Sequence, residues 1–501
     1  MPQLSLSELR QTLLNNLGLN FTERSEDELY KKIGDAAKEF QFDNTDKFID
    51  WINKTHFAPT ELEKLASFLT IGETYFLREI KALNYLEKVY LPELIKKRIN
   101  RKQSIRIWCA GCASGEEPFS IAMLLKRIIP DLKNWNISIL ASDINAKFLE
   151  KARKGIYTKW SFRKLPETFK KQYFNEIEKD TFQIKQEIHS MVTFVYQNLA
   201  TDTYPSLVNN TNAMDIILCR NVLIYFSNIG IRQVSSKLYN SLTKGGVLLV
   251  SPVEMSSLIC QKFRKIFYEG FTIYAKGPEA LKIKDSATWK IPETIFIEEK
   301  FKPVNPKELV NVTNKPTEVL KEKSLPESVS VKKSTIEEMP LYEDAKKMYA
   351  SGKFEELEIF LTNILNEKGE ISNSQLKLLI KTEANLGKLD IANDLCKKAI
   401  EINKLDANLY FIHANIQQEL GEDAKAIKTL KKVIYIEPEF SMAHFALGNL
   451  SRKYGKDMES RKHFRNTLSM LSKFNTEHIL EDCDGLTVGR LVEIINTIIE
   501  L

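Results

Sequence analysis

The strongest constraint on the fold is a glycine that recurs at an almost fixed interval toward the C-terminus. Gly352, Gly387, Gly421 and Gly455 follow one another at steps of 35, 34 and 34 residues. Each lies in a short polar turn between two segments whose apolar residues recur with helical spacing. A constant period of this length predicts stacked helix–turn–helix units, because one such unit cannot bury its apolar face alone.

Small side chains recur with the same period. Ala392, Ala426 and Ser460 each follow one of the glycines by five residues, and Ala414 and Gly448 are 34 residues apart. Small residues at matching positions allow neighbouring helices to approach closely. The pattern resembles tetratricopeptide repeats and predicts a concave surface for a peptide or protein partner. An ordinary helical bundle is the alternative.

Before the repeats, the spacing of apolar residues changes from a helical pattern to an alternation of strands and helices. Residues 1–70 show four short amphipathic helical patterns and no strand pattern. From about residue 103, short apolar runs alternate with helical stretches, which predicts βαβ units and a mainly parallel sheet. The predicted strands lie at 105–108, 137–140, 215–219 and 245–250. A small hairpin is predicted between the second and third of them, at about 180–197.

Composition excludes several classes of function. The 72 basic and 66 acidic side chains leave a net charge of +6, which is too small an excess for a nucleic-acid-binding surface. No apolar run approaches the roughly 20 residues of a membrane span, and the N-terminus shows no signal-peptide pattern. We therefore expect a cytoplasmic protein without membrane insertion. The six scattered cysteines, including Cys109 and Cys112, predict neither a disulfide framework nor a metal site.

A glycine turn indicates the chemistry. Gly111 and Gly115 follow the first predicted strand as Gly-x-x-x-Gly, not as the Gly-x-Gly-x-x-Gly of dinucleotide folds. Glu116 and Glu117 come next, and their charges would repel a pyrophosphate from that helix N-terminus. Asp143, at the end of the second strand, is placed to accept hydrogen bonds from a ribose diol. A sulfonium nucleoside such as S-adenosylmethionine meets these conditions, although acidic residues at a helix start also stabilise the helix dipole.

Four ordered motifs make the interpretation more specific. They are TIGETYFLRE at 70–79, IWCAGCASGEEP at 107–118, ASDI with LEKARKGIY within 141–157, and CRNVLIYF at 219–226. Together they resemble the chemotaxis-type protein-glutamate O-methyltransferases, the CheR family, over about residues 1–280. The resemblance implies S-adenosyl-L-methionine as methyl donor, S-adenosyl-L-homocysteine as product and a chemoreceptor-like protein as substrate.

The resemblance also implies which residues form the site. Arg220 and Tyr225 are expected to hold the catalytic geometry. The expected cofactor-binding residues are Thr74, Arg78, Glu116, Glu117, Asp143, Asn198, Leu199, Arg220 and Asn221. A glutamate carboxylate is ionised near pH 7 and needs no general base, so in-line positioning and electrostatics should supply most of the catalysis.

Two departures from the family pattern are visible. Gly72 stands where the family usually has Asn, which removes one polar contact to the cofactor. The predicted hairpin at 180–197 is short and lacks the glycine-rich loop of members that dock a receptor's C-terminal pentapeptide. We therefore expect the repeats, rather than the hairpin, to deliver the substrate.

The resemblance and the repeats together give the expected architecture. It is an α/β, class I (Rossmann-like) methyltransferase domain with a small β insertion, preceded by a helical domain and followed by an all-α repeat module. The expected boundaries are 1–75 for the helical domain, 76–284 for the methyltransferase domain, 285–340 for a proline-rich linker, 341–475 for the repeats and 476–501 for a helical tail. Two rival functions stay open: a methyltransferase of another substrate, and a scaffold that binds S-adenosylmethionine without turnover.

Overall fold

The chain forms two compact units. The structure, a computed structural model, describes residues 3–55, 57–99, 103–129, 131–255, 257–277, 330–332, 339–368, 370–480, 483 and 486–499. One unit holds the described residues up to 202 and those from 214 to 277, and the other holds residues 203–213 and the described residues from 330 onward. Most of the predicted linker at 285–340 lies outside the described residues.

Four helices open the first unit, as the sequence predicts. They are α1 (Gln3–Leu17), α2 (Glu26–Glu39), α3 (Thr45–Lys54) and α4 (Pro59–Leu69). Their apolar stripes form one core, in which Leu9, Ile33, Phe48 and Leu65 are fully buried. Burying a side chain of this size stabilises the bundle by about 1.5–3 kcal/mol. A further helical stretch, α5 (Ile80–Tyr85) and α6 (Leu91–Arg98), leads into the sheet.

A seven-stranded sheet forms the centre of this unit. The strands of the unit are β1 (Ser104–Ala110), β2 (Asn136–Asp143), β3 (Ile156–Thr158), β4 (Phe174–Glu178), β5 (Thr181–Ile184), β6 (Val192–Tyr196), β7 (Met214–Leu218), β8 (Leu242–Leu249), β9 (Phe263–Tyr268) and β10 (Phe271–Lys276). The helices between them are α7 (Glu116–Ile128), α8 (Ala146–Lys154), α9 (Glu167–Tyr173), α10 (Gln186–His189) and α11 (Asn228–Ser241).

The strand order confirms the predicted Rossmann-like fold. It runs β6-β2-β1-β7-β8-β10-β9. The first five strands in this order are parallel to one another, and β10 is antiparallel to both β8 and β9. All of β1 except its first residue is buried, which is typical of a parallel sheet with helices on both faces. The four strands that the sequence predicts are β1, β2, β7 and β8.

The predicted hairpin at 180–197 is wrong. Val192–Tyr196 is β6, which pairs in parallel with β2 at the edge of the main sheet. β5 pairs instead with β3 and β4 in a separate three-stranded antiparallel sheet. Val192, Phe194 and Tyr196 enter the core of the main sheet, so burial there selects β2 as the partner. Alternating apolar residues predict a half-buried strand, but they do not show which strand it pairs with.

The antiparallel strands β9 and β10 were not predicted. Glu269 and Gly270 form the two-residue turn between them, with φ of 46° and 75°. Two residues in this left-handed region match the right-handed twist of a hairpin. Aromatic and β-branched residues on both sides of this turn were an available signal.

The second unit is a stack of helices joined by short turns. Its helices are α12 (Met339–Ala350), α13 (Phe354–Lys368), α14 (Asn373–Asn385), α15 (Leu389–Ile402), α16 (Ala407–Glu419), α17 (Asp423–Ile436), α18 (Ser441–Lys453), α19 (Asp457–Leu471) and α20 (Val488–Ile499). A short parallel pair, β11 (Ser330–Lys332) and β12 (Glu370–Ser372), accompanies them.

The recurring glycines lie between the two helices of each pair. Gly352, Gly387, Gly421 and Gly455 have φ of 69°, 78°, 77° and 68°. Glycine adopts this left-handed conformation without the steric cost that a Cβ brings, and it commonly ends a helix in this way. The predicted helix–turn–helix period is confirmed.

One segment of the second unit comes from between β6 and β7 in the sequence. Within residues 203–213, Leu207 joins the apolar core of α12 to α16. The fully buried Asn212 donates from Nδ2 to the Ala384 carbonyl (3.3 Å) and to the Glu419 carboxylate (3.2 Å). No sequence pattern predicted this packing.

Candidate active site

The site lies at the carboxyl ends of the parallel strands. Within the sheet, β2 and then β6 lie to one side of β1, and β7 and then β8 lie to its other side, so the strand order reverses at β1. Ligands of open α/β sheets bind in the crevice outside such a point of reversal. The loops after β1, β2, β6 and β7 carry most of the predicted site residues.

These loops enclose a cavity of about 330 Å³, a volume within the range of small-molecule sites. Every predicted site residue except Glu116 lines it. The predicted residues in the lining are Thr74, Arg78, Glu117, Asp143, Asn198, Leu199, Arg220, Asn221 and Tyr225. Leu17 and Leu19, from the helical domain, also line the cavity, so both parts of the first unit contribute to one site.

The turn after β1 requires glycine at two positions. Gly111 has φ of 87°, and a Cβ added to it would lie 2.2 Å from Cγ2 of Val222. Gly115 has φ of 93°, and its Cβ would lie 2.9 Å from the Tyr157 hydroxyl. A larger residue at either position would push the turn away from its neighbours. The glycines therefore permit the close packing of this turn, of which residues 111–113 line the cavity.

Asp143 ends β2 and faces the cavity. Its Oδ2 accepts a hydrogen bond from the Ala113 N–H (2.8 Å), and its Oδ1 accepts one from the Asn145 N–H (2.8 Å). Burial raises the pKa of this carboxyl, and the backbone N–H groups oppose the rise because they favour the charged form. Each oxygen can accept a further hydrogen bond. The side chain is thus fixed in orientation and still able to bind ligand hydroxyls.

Glu116, one of the predicted cofactor-binding residues, does not line the cavity. Its carboxylate accepts hydrogen bonds from the hydroxyls of Ser114 (2.7 Å) and Ser161 (2.9 Å) and is buried outside the cavity lining. Glu117, the next residue, lines the cavity instead. Successive side chains point about 100° apart around a helix, so one of two adjacent acids turns away from the cavity. Sequence spacing alone does not show which one.

Arg220 holds Glu117 in place. Its Nη1 donates to the Glu117 carboxylate (2.8 Å), its Nε donates to Glu79 (3.3 Å), and its Nη2 donates to the Arg78 carbonyl. The guanidinium is almost fully buried, and the two carboxylates compensate its charge. Burial raises the pKa of Glu117, while Arg220 opposes the rise. All three nitrogens of Arg220 therefore bond to protein groups.

Glu79 is a site residue that was not predicted. It has φ of 53° and ψ of 58°, a left-handed conformation that costs a non-glycine residue about 1–2 kcal/mol. Its Oε1 accepts from the Ser251 hydroxyl (2.7 Å), and that hydroxyl accepts from the Asn221 amide (3.2 Å). Glu79 thus connects Arg220 to Asn221. Its place beside Arg78 in the first motif was the available signal.

Glu254 is a second unpredicted residue, and it holds the loop after β7. Its carboxylate accepts hydrogen bonds of 2.6–2.8 Å from the backbone N–H groups of Asn221, Val222, Leu223 and Ser251. Burial raises its pKa, and these N–H groups oppose the rise. The four bonds stabilise Asn221 at a φ of 61°. The capping-box spacing from Ser251 to Glu254 could have identified it.

Tyr225, Arg78 and Thr74 complete the side of the cavity that faces the early helices. Burial raises the pKa of the Tyr225 phenol, and Arg78 opposes the rise. The phenol is therefore protonated at neutral pH and able to donate a hydrogen bond. The Arg78 guanidinium donates to the Glu73 carbonyl and lies 5.9 Å from the centre of the Tyr75 ring. Thr74 adds a hydroxyl to the lining.

Asn198 and Leu199 come directly after β6, which lies on the other side of β1 from β7 in the sheet. The Asn198 amide donates from Nδ2 to the Asn16 carbonyl (3.0 Å), and its Oδ1 accepts from the Ala200 N–H (3.0 Å). Both ends of this amide thus bond to the protein, and the side chain shapes the wall of the cavity. Leu199 is buried and contributes apolar surface.

Three buried thiols lie at the strand ends near the cavity. Burial raises the pKa of Cys109, Cys112 and Cys219 well above the ordinary value for a thiol. Such cysteines stay protonated and unreactive at neutral pH. Within the described part of the chain, no cluster of three or more His, Cys, Asp or Glu is arranged to hold a metal ion.

Known proteins share this sequence region. The family described as "CheR methyltransferase, SAM binding domain" matches residues 72–269. The chemotaxis protein methyltransferase of Borreliella burgdorferi is 35% identical over 251 residues, which are 50% of this chain and 87% of that protein. This chain belongs to the chemotaxis protein methyltransferase (CheR) family. Chemotaxis protein methyltransferase 2 of Vibrio cholerae is 37% identical over 216 residues, 43% of this chain and 73% of that protein.

Family membership confirms the predicted enzyme class and methyl donor. The chain is an S-adenosylmethionine-dependent methyltransferase, and the family match spans the sheet ends, the cavity-lining residues from Glu73 to Phe226, and Glu254. A crystal structure of MamA aligns with 27% of this chain and 78% of its own, at 23% identity and a TM-score of 0.25, which is too low to carry an argument. Among the described helices, none has the length and apolar character to cross a membrane.

Proposed function

We propose that this CheR-family enzyme forms methyl esters on glutamate side chains of a chemoreceptor-like signalling protein in the cytoplasm and releases S-adenosyl-L-homocysteine. The observation that carries the proposal is the single cavity that brings Glu117, Asp143, Arg78 and Tyr225 together at the strand ends. The relatives that match this chain are named chemotaxis protein methyltransferases, which supports a receptor substrate.

The side chains of the cavity suit S-adenosylmethionine. Glu117 and Asp143 supply negative charge for a cationic ligand, and Asp143 retains acceptor capacity for two ribose hydroxyls. Arg78 suits the carboxylate of the methionine moiety. Gly111 leaves room for the ligand to approach the backbone. We also assign Thr74, Asn198, Leu199 and Asn221 to the cofactor site, but not Glu116.

When bound, the cofactor supplies an electrophilic methyl group on a positively charged sulfur. Tyr225 donates its phenolic proton in a hydrogen bond to one oxygen of the substrate carboxylate, which leaves the other oxygen directed at the methyl group. Arg220 acts through Glu117, whose orientation it fixes at 2.8 Å. No residue has to remove a proton, because the substrate carboxylate is already ionised. In-line positioning of this kind can lower a barrier by about 7–11 kcal/mol.

The repeat unit is proposed to bind a protein partner and so to deliver the substrate. We propose residues 341–475 as the repeat module and residues 1–75 and 76–284 as the helical and methyltransferase domains. The paired helices of α14 to α19 and their glycine turns support this role, since stacked units of this type form extended binding surfaces.

Transfer of a radioactive methyl group tests the proposal. The full chain is incubated with labelled S-adenosylmethionine and the cytoplasmic part of a chemoreceptor, and base-labile methyl esters are mapped to residues by mass spectrometry. We expect labelled glutamates, and a receptor variant with glutamine at those positions should stay unlabelled. Labelling of other substrates alone would indicate a different methyltransferase. Binding of the cofactor without any transfer would indicate a sensor.

A further inference from the structure

Gly72 and the ring of Phe148 meet at one wall of the cavity. A Cβ added to Gly72 would lie 2.3 Å from Cζ of Phe148 and 2.5 Å and 2.8 Å from its two Cε atoms. These separations are far shorter than van der Waals contact. Gly72 is not among the glycines with positive φ, so its backbone conformation does not require glycine. The Phe148 ring is the feature that excludes a side chain at position 72.

A buried asparagine fixes the two segments that meet here. Asn145 caps α8, because its Oδ1 accepts a hydrogen bond from the Phe148 N–H (3.1 Å). Its Nδ2 donates to the Thr70 hydroxyl (2.9 Å), which lies two residues before Gly72. Asn145 is fully buried. One side chain therefore holds both the start of α8 and the segment that leads to Gly72, and neither backbone can move away without breaking these bonds.

Phe148 lines the same cavity as Asp143. The two residues lie on either side of Asn145, which also donates its backbone N–H to Asp143. The ring is half-buried, so part of its surface faces the cavity. A ligand whose ribose bonds to Asp143 carries its purine base next to that ribose. The adjacent aromatic ring offers this base an apolar surface in stacked or edge-on geometry.

We propose that Phe148 is a cofactor-binding residue that packs against the adenine base, and that glycine at position 72 makes the space for its ring. The inference rests on the proposed function, because it takes S-adenosylmethionine as the ligand. It also gives a physical reason for the departure from the family pattern at position 72. An apolar contact from Phe148 replaces the polar contact that an asparagine at position 72 would make.

A double-mutant cycle on the full chain tests the coupling, with calorimetric affinity for S-adenosyl-L-homocysteine as the measurement. Phe148→Ala should weaken binding about tenfold, because the contact between ring and base is lost. Gly72→Ala should weaken binding about tenfold in the wild-type background, since the new Cβ displaces the ring, and less than about twofold in the Phe148→Ala background. Adenosine keeps the base and the ribose, so the affinity of each variant for adenosine should fall by the same factor.

Gly34→Ala is the matched control. It adds the same methyl group to α2, outside the cavity lining and without a positive φ, where the nearest atom is Oγ1 of Thr45 at 3.3 Å. Its affinity should equal that of the wild type. Thermal unfolding without ligand identifies any variant that fails to fold, and Phe148→Val then replaces Phe148→Ala in the cycle.

Two results overturn the inference: unchanged affinity when Phe148 is shortened, or an equal effect of Gly72→Ala in both backgrounds. In either case the wild-type protein still binds S-adenosyl-L-homocysteine, and the proposed function stands. A wild-type chain that binds neither S-adenosyl-L-homocysteine nor S-adenosylmethionine would refute the proposed function and this inference together.

Discussion

The candidate active site and the helical repeats differ in which residues adopt a left-handed backbone conformation. Around the site, Leu77, Glu79, Ala113 and Asn221 all have positive φ although none is glycine. Among the described residues of the repeat helices and their turns, from 339 to 499, every residue with positive φ is glycine. In the repeats, left-handed backbone therefore occurs only where glycine adopts it without steric cost. The site contains strained backbone that contacts from distant residues must stabilise.

Two ion pairs, one from each region, differ in sequence separation and in exposure to solvent. Arg220 bonds to Glu117 and Glu79, which are 103 and 141 residues away, and its side chain is 3% exposed. In the repeats, by contrast, the pair of Lys425 with Glu422 joins residues that are three positions apart and 66% and 36% exposed. Exposed pairs contribute about 0–1 kcal/mol, whereas removing one partner of a buried pair costs about 3–5 kcal/mol. Loss of the buried long-range pair at the site should therefore cost more than loss of this exposed local pair.

The largest expected effect is that of Arg220→Ala. It leaves the buried carboxylates of Glu117 and Glu79 without their cation and should lower the free energy of unfolding by about 3 kcal/mol. Chemical denaturation of the first unit measures the loss. Lys425→Ala, the matched change in the repeats, should cost less than about 0.5 kcal/mol. Similar losses of unfolding free energy in the two variants would contradict the proposed difference between the two regions.

Glu254→Gln should have the next largest effect. A glutamine has one acceptor oxygen in place of two, so some of the four backbone N–H groups lose their partner, at a cost of about 2 kcal/mol in unfolding free energy. Because burial raises the folded-state pKa of Glu254, its contribution is fully present below the ordinary glutamate pKa and is lost as pH rises through the raised value. The difference between wild type and Glu254→Gln should therefore shrink as pH rises above the ordinary glutamate pKa. A difference that grows over this range contradicts the assignment.

Gly421→Ala should have the smallest effect of the three and act only in the repeats. At a φ of 77° the added Cβ costs about 1 kcal/mol in unfolding free energy. Affinity for S-adenosyl-L-homocysteine should not change. Gly34→Ala, at a position without positive φ, should show no such loss. An unchanged stability of Gly421→Ala would mean that the turns do not require glycine.

The repeats were predictable because their determinants are local. The glycines at 352, 387, 421 and 455 mark the turns through their own conformational preference, and apolar spacing marks the helices. Four core strands were predictable for the same reason. The partner of β6 was not, since alternation along one strand does not identify its neighbour in the sheet. Burial against β2 decided it.

The candidate site was predicted through motifs, and its errors arise where geometry decides. The family resemblance indicates nine residues that line the cavity, seven of them within the motifs, but it does not separate Glu117 from Glu116, because helix rotation turns only one of them inward. Glu254 lies 33 residues beyond Asn221, and its role depends on how the chain folds back. Phe148 could be interpreted only once its ring was seen against Gly72.

Calorimetric titration of the full chain with S-adenosyl-L-homocysteine, wild type against Asp143→Ala, tests the central claim most directly. That claim is that the cavity at the strand ends binds the cofactor through the carboxylate of Asp143. Loss of its hydrogen bonds to ribose should weaken binding by about 1–3 kcal/mol, roughly five- to 150-fold in affinity. Asp390→Ala, an exposed change in the repeats, should bind as the wild type does. Equal affinities for wild type and Asp143→Ala would contradict the account.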